Sequence, residues 1–535
     1  MTTRTYPVIP PGLPSAKRPI SFICVRFSGD YEHNILLSDC IYNPLNQFIT
    51  VDNRSNLFFP NLCSAINSAL PNVMHDLVAV VHEDVMLPKN WQAQLEASLH
   101  DLEKTDPYWH LAGAVGWNEE GKIRGHWSDP HQYINTLEQH SYDKVDRLDE
   151  QLLIFRKPGF GKFDSHLHSI HNIGKDLSEI GRQHGLVTYA VNAPTIHKLR
   201  DEKGELINTP TDSVKISDRK SLTYLADKSC SDDYLHHKWD LPRKNPAPTI
   251  LQSLSPEQRY VLRAPVILLG RGGSGTRLLS EIAQNCNLFI GNNVNASGDC
   301  IDLVHQVYRG IIRKYQGVDP WLKSQIIPDL LGDTAVMLQK AEWPARWGFK
   351  LPETVFLLPE LRNAFPNATY VFFSRDPENT VLRRSHMTAR LDNHIGRCAL
   401  GQAYDFFGYD RAQILTDTPL DRMATTTMHQ IQLIKSHLGL VPNANQLTLT
   451  FEETIENPSL SLEQFSHFTG LLTQSDTLTK TVDQKRAKSG SEQFSPDEVQ
   501  NARQRLQHLL AFKQEKAHSV YGRDTDETVT RCPIE

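Results

Sequence analysis

The sequence predicts two α/β domains, and three observations carry that expectation. The chain has 535 residues, beyond the size at which a single hydrophobic core usually keeps growing. Residues 77–81, after Asp76, form a continuous apolar run that stops abruptly at His82-Glu83-Asp84, followed by Pro88 and a stretch with helical spacing. A strand buried on both faces, a polar end and then a helix is the repeating unit of parallel α/β sheets. Residues 260–269 repeat the pattern and run into a glycine-rich turn, Gly270 to Arg277.

Residues 1–17, rich in Pro, Thr and Ser, read as a flexible arm. Residues 19–25 read as the first strand and 47–51 as the second, the latter ending at Asp52-Asn53. Residues 61–70 have helical spacing, and Pro88 suits the first turn of a helix. Short strand signals follow at 111–116, 151–155 and 186–191, the last leading to His197, so a first domain is expected over 18–215. A polar tract at 198–218 and a Pro- and Lys-rich one at 238–248 bracket a helical piece at 222–237; residues 216–249 are therefore expected to be a linker with a short helix. A second domain is expected over 250–475. Beyond it, residues 476–535 combine a polar segment with a helix in which Val499, Leu506, Leu509 and Leu510 share one face.

Composition excludes several classes. Lys+Arg is 56 against Asp+Glu 62, a net charge of −6, so no bulk field favours nucleic acid or an anionic membrane. No apolar run approaches the ~20 residues of a membrane span, and the amino terminus lacks a signal-peptide core, so no transmembrane segment and a cytoplasmic location are expected. Eight cysteines without a C-x-x-C spacing read as reduced thiols.

The turn Gly270-Arg271-Gly272-Gly273-Ser274-Gly275-Thr276-Arg277 sits between an apolar strand and a helix. Glycines let backbone amides converge on an anion, and the helix start adds unpaired N–H groups. The full Gly-x-x-x-x-Gly-Lys-Ser/Thr pattern is absent, which weakens triphosphate hydrolysis as a reading. The alternative is a plain strand-to-helix turn. A second anchor follows the strand at 368–373, where Ser374-Arg375-Asp376-Pro377 places an arginine able to grip a phosphate bidentately.

In content and separation the two anchors resemble sulfotransferases that use 3′-phosphoadenosine 5′-phosphosulfate. The resemblance covers about 260–472, including Trp347 to Pro352 and the segment 447–453. It implies a P-loop-type parallel sheet with flanking helices, with Arg271 neutralising the sulfonate and Gly270, Gly272, Gly273, Ser274, Gly275, Thr276 and Arg277 around the 5′-phosphosulfate. It further implies Arg375 on the 3′-phosphate. The assisting serine of the family falls where Arg383 stands, so Ser385, two residues on, is the nearest match. A general base is expected among His305, Glu342, Glu353 and Glu360, with Glu342 favoured; Glu452 is expected to support the loop.

Over about 19–200 the chain resembles inverting glycosyltransferases of the GT-A type, through Asp52, Glu83-Asp84, Asp149-Glu150, Asp164, Asp176 and His197 in order at strand ends. The resemblance implies a Rossmann-type sheet, Asp52 contacting the nucleoside, Asp84 and His197 binding Mn2+ or Mg2+, and Asp176 as general base. His82-Glu83-Asp84 stands in place of Asp-x-Asp, and the Gln-x-x-Arg-Trp signature is missing. The expectation is a bifunctional carbohydrate-modifying enzyme acting on a glycan or glycolipid with a nucleotide sugar as second donor. The alternative makes only the second domain catalytic and the first a glycan- or nucleotide-sugar-binding module; a third reading makes both domains binding modules.

Overall fold

The computed structural model describes residues 5–7, 9, 13, 15–137, 141–157, 161–201, 203–207, 219–241, 249–317, 319–383, 386–473 and 494–512. The chain divides into two compact units, one comprising residues 1–245 with 313–323 and the other 246–312 with 324–535. Both are α/β.

The first unit is built on a seven-stranded sheet in the order Gln47–Asp52, Ile20–Arg26, Leu77–His82, Leu152–Arg156, Leu111–Gly113, Thr188–Val191, Tyr142–Val145. The first three strands are parallel, whereas Leu152–Arg156 runs antiparallel to both its neighbours. Ile20–Arg26 and Leu77–His82 are buried along nearly their whole length, as strands covered on both faces must be. Phe22, Ala79 and Val81 pack on one side with Trp91, Leu95 and Leu99, from the helix Trp91–Thr105. Ile23, Val78 and Val80 pack on the other with Ile66, Ile173 and Leu177. A smaller sheet carries Val85–Met86 and Thr195–His197 side by side, antiparallel, with His197 opposite Val85. That pairing brings the end of the Leu77–His82 strand together with the last strand of the unit.

The stretch expected to be a linker contains the helix Arg219–Lys238, which belongs to the first unit. Its Tyr234 and Leu235 join the core of Phe163, Ile173 and Leu177, because the helix carries apolar side chains that no solvated connection would leave exposed.

The second unit has a four-stranded, wholly parallel sheet in the order Gly348–Lys350, Val266–Leu269, Thr369–Ser374, Gln446–Thr450. Parallel strands end together, so Gly270, Leu351, Arg375 and Phe451 follow the same edge of the sheet. Strand alternation sends Val371, Phe373 and Leu449 to one face, where Leu279, Ile282 and Ala283 of the helix Thr276–Asn285 cover them. Val499, Ala502, Leu506 and Leu509 of the helix Pro496–Leu510 pack with Val381, Met423 and Met428. Among the described residues no helix is long and apolar enough to cross a membrane, and every cysteine is a free thiol.

Candidate active site

The edge of the second sheet gathers the chemistry. After Val266–Leu269 the chain turns through Gly270 to Gly275 and enters the helix Thr276–Asn285, whose first turn has no side-chain cap. Its free amides are suited to an anion. Gly273 and Gly275 hold φ of 96° and 93°, a left-handed backbone that favours glycine. At Gly272 the constraint is proximity: a Cβ there would lie 2.0 Å from Nε2 of His386. The Ser274 hydroxyl donates to the Arg271 carbonyl at 2.7 Å and tightens the turn. Thr276 is buried, its methyl filling the space beside Gly270.

Arg271 points inward and is 2% exposed. Its Nη1 donates to the Gly272 carbonyl, and its Nη2 faces Met423 Sδ at 3.0 Å. Burial pushes this guanidinium down to about 9, with Glu353 opposing the shift. Arg375 follows Thr369–Ser374, is largely buried, and lies 4.1 Å over the Phe451 ring. Burial, reinforced by Arg383, pushes it down to about 10 against the pull of Glu452 and Asp376. Both arginines line one cavity of about 550 Å³, with Ser274, Phe372, Ser374 and Thr427. Two arginines on the wall of one cavity make it electropositive, an environment suited to an anionic ligand.

Two expectations for this edge change. Glu342 lies in the turn after the helix Ile326–Lys340, before the strand Gly348–Lys350, and is therefore on the amino-terminal side of a sheet whose loop is at the carboxyl edge. Glu353, just after that strand, is the carboxylate at the loop: it is fully buried, with Oε1 3.9 Å from His386 Nε2. Arg277 is turned away, half-exposed and paired with Glu281 at 3.2 Å. Ser385 lies outside the described residues. Glu452 accepts from the Asp376 amide at 3.2 Å and so supports the loop that carries Arg375. His386 was missed by sequence reasoning, which had no periodicity to mark it. Its Nδ1 accepts from the Thr388 amide at 3.3 Å, so a neutral ring keeps its proton on Nε2, toward Gly272 and Glu353.

In the first unit the expected residues are only partly brought together. Asp84 and His197 meet, with Oδ2 to Nε2 at 3.1 Å, and Asp129, missed in the sequence, takes His197 Nδ1 at 2.9 Å. Burial disfavours charge on His197, but the flanking Asp84 and Asp129 carboxylates outweigh it and push the imidazole up to about 10. Asp84 is raised by burial yet held below the usual carboxylate range by His197, His82 and Lys198. Both His197 ring nitrogens face carboxylates. Among the described residues no group of three or more His, Cys, Asp or Glu is arranged to hold a metal ion. The expected Mn2+ or Mg2+ site does not fit these residues, and the cluster is an ion-pair network.

Glu83 is spent on the loop after the first strand, accepting from the Phe27 and Ser28 amides at 2.6 and 3.0 Å. Asp52, at its strand end, is exposed and paired with Arg54 at 2.7 Å. Asp176 is 1% exposed and capped by Lys238 at 2.7 Å and the Trp239 indole at 2.9 Å. Sealed in that way it is engaged in a buried ion pair and is not presented to solvent. The helix that supplies Lys238 is the stretch sequence reasoning assigned to a linker, which is why the pair was not legible.

Residues 265–475 match the model of the sulfotransferase family and are a sulfotransferase-family domain. No curated protein matches the chain. Among solved structures, the chain is similar to the sulfotransferase domain from the curacin biosynthetic pathway, at 16% identity, covering 46% of this chain and 97% of that one, TM-score 0.28. A sulfotransferase from Mycobacterium tuberculosis is 13% identical, covering 54% of this chain and 93% of that one, TM-score 0.30. A mouse sulfotransferase complexed with PAP is 12% identical, covering 51% and 95%, TM-score 0.25.

Proposed function

We propose that the second unit transfers a sulfo group from 3′-phosphoadenosine 5′-phosphosulfate to an acceptor hydroxyl. The observation that carries the reading is the convergence of Arg271 and Arg375, distant in sequence, on one cavity beside a glycine turn that opens a helix. The turn amides receive the 5′-phosphosulfate end and Arg375 the 3′-phosphate. The acceptor oxygen forms a bond to sulfur as the sulfur–phosphate oxygen bond breaks, and the electron pair stays on the departing 5′-phosphate. Arg271 and the Nε2–H of His386 stabilise that developing charge, and Glu353 takes the hydroxyl proton. The test is calorimetric binding of 3′-phosphoadenosine 5′-phosphate together with transfer of labelled sulfo group to a hydroxyl panel. Arg375→Ala is expected to weaken nucleotide binding by about 10–100-fold, the range for losing a charge-assisted contact; unchanged binding defeats the assignment.

For the first unit we favour a nucleotide-sugar- or glycan-binding module over a metal-dependent glycosyltransferase. The sealed Asp176 and the doubly engaged His197 support this reading. Its measurement is titration with a panel of nucleotide sugars, with and without a chelator. Chelator-insensitive binding without sugar transfer is expected, and metal-dependent transfer would restore the catalytic reading.

A further inference from the structure

The helix Pro419–Leu438 carries three consecutive threonines whose hydroxyls are used differently. Thr425 and Thr426 turn theirs back on the helix, donating to the carbonyls of Asp421 and Arg422 at 2.9 Å each. Thr427 is as deeply buried as its neighbours, at 0% exposure, yet its Oγ1 has no hydrogen-bond partner among the described residues. A threonine inside a helix has the carbonyl one turn back within reach. A hydroxyl that leaves that carbonyl unused while sealed from water is costly unless a ligand meets it.

The position of Thr427 says which ligand that is. It lies on the wall of the cavity that Arg271, Ser274 and Arg375 also line. One helical turn earlier, Met423 Sδ is 3.0 Å from Arg271 Nη2. Residues four apart share a helix face, so the face that carries Thr427 is the one turned toward the glycine loop, about 6 Å along the axis from Met423. Ile431 and Lys435 continue the same stripe to the mouth of the cavity, where Lys435 is exposed. Thr427 therefore belongs to the closed end, beside the buried Arg271 and Ser274. There the Ser274 hydroxyl is already committed to the Arg271 carbonyl at 2.7 Å, whereas that of Thr427 is not committed.

We propose that Thr427 is a donor-binding residue: its hydroxyl donates to an oxygen of the donor's 5′-phosphate, adding an O–H from a distant helix to the N–H groups of the glycine turn. A charged oxygen is the matching acceptor because the arginines beside it favour an anion there. This rests on the sulfo-transfer reading, which places the nucleotide in the same cavity. The hydroxyl then lowers the stability of the free chain and raises its affinity for the donor, two effects of opposite sign.

The experiment takes the full chain as wild type, Thr427→Val, Thr427→Ser and Thr426→Val, and measures calorimetric binding of 3′-phosphoadenosine 5′-phosphate and denaturant unfolding without nucleotide. Thr427→Val keeps the shape of the side chain and removes the hydroxyl. It is expected to bind the nucleotide about 10–100-fold more weakly, the range for a hydrogen bond to a charged group, with stability equal to or above wild type. Thr427→Ser retains the O–H and should keep near wild-type affinity. Thr426→Val removes a hydroxyl already bonded within the helix and should leave affinity unchanged. Wild-type affinity in Thr427→Val, a loss of stability in that variant, or an equal loss of affinity in Thr427→Ser or Thr426→Val overturns the proposal. Should wild type fail to bind the nucleotide, the donor reading falls by itself, and titration with inorganic pyrophosphate decides the hydroxyl. Weaker pyrophosphate binding by Thr427→Val keeps it on an anion at Arg271; equal binding, or none by wild type, overturns it.

Discussion

Gly272→Ala puts the loop geometry to a sharp test. The added Cβ would lie 2.0 Å from His386 Nε2, 2.4 Å from Cε1 and 2.5 Å from Cδ2, whereas ordinary contact begins at 3.4 Å. The ring must therefore retreat by about 1.4 Å or the loop must move by as much. His386 does not swing freely, because its Nδ1 is tied to Thr388 through both amide and hydroxyl. Overpacking of this kind costs about 1–3 kcal/mol of stability, and misplacing a reacting group by about 1 Å costs on the order of 10²-fold in rate. The expected result is a folded protein, melting a few degrees lower, with sulfo transfer down by about 10–100-fold and nucleotide binding reduced far less. The assay is initial-rate transfer of labelled sulfo group under saturating donor. The second arm is a cycle with His386→Ala, which vacates the space: if displacement of the ring is the cause, adding Gly272→Ala to His386→Ala should cost little more. Full activity in Gly272→Ala, or additive losses in the double variant, would refute the placement of His386 at the sulfo group.

Other outcomes follow from the same geometry. Asp176→Asn leaves Lys238 facing a neutral amide in a buried pair, so denaturant unfolding should show a loss of about 3–5 kcal/mol, with no change in the pH profile of any transfer; a catalytic base would show the opposite pattern. His197 is held charged well above its unfolded value of roughly 6.5, so its contribution is fully present below that pH and is lost as pH rises through about 10. The stability gap between wild type and His197→Gln, read by chemical denaturation, should therefore shrink across that window; a gap constant up to pH 10 contradicts the ion-pair network. Glu353→Gln should lower the rate at saturating substrate while leaving nucleotide affinity near wild type, and a purely structural Glu353 would lower the thermal midpoint with no selective effect on turnover.

Much of the fold was legible because its signals are local. Apolar runs such as 77–81 and 266–269 mark strands covered on both faces, and the helical spacing at 61–70 appears as the helix Leu62–Ala69. The glycine turn announced itself through composition alone, and Arg375 through its place after a strand. Glu342 misled because spacing along a chain does not say at which edge of a sheet a residue emerges. The polar stripe of Thr427 and Lys435 was hidden inside a helix whose partner surface lies on strands distant in sequence.

The sequence by itself determined two α/β units, the glycine turn between strand and helix, and the place of both arginines after strands, since each depends on neighbours within a few residues of the chain. Tertiary structure alone decided which carboxylate reaches the loop, that Asp176 is sealed by Lys238, that Asp129 completes the clamp on His197, and that both arginines open onto one cavity with a lysine at its mouth. Those are facts of proximity between segments far apart in the chain, fixed by strand order and helix packing, and burial then sets which groups carry charge.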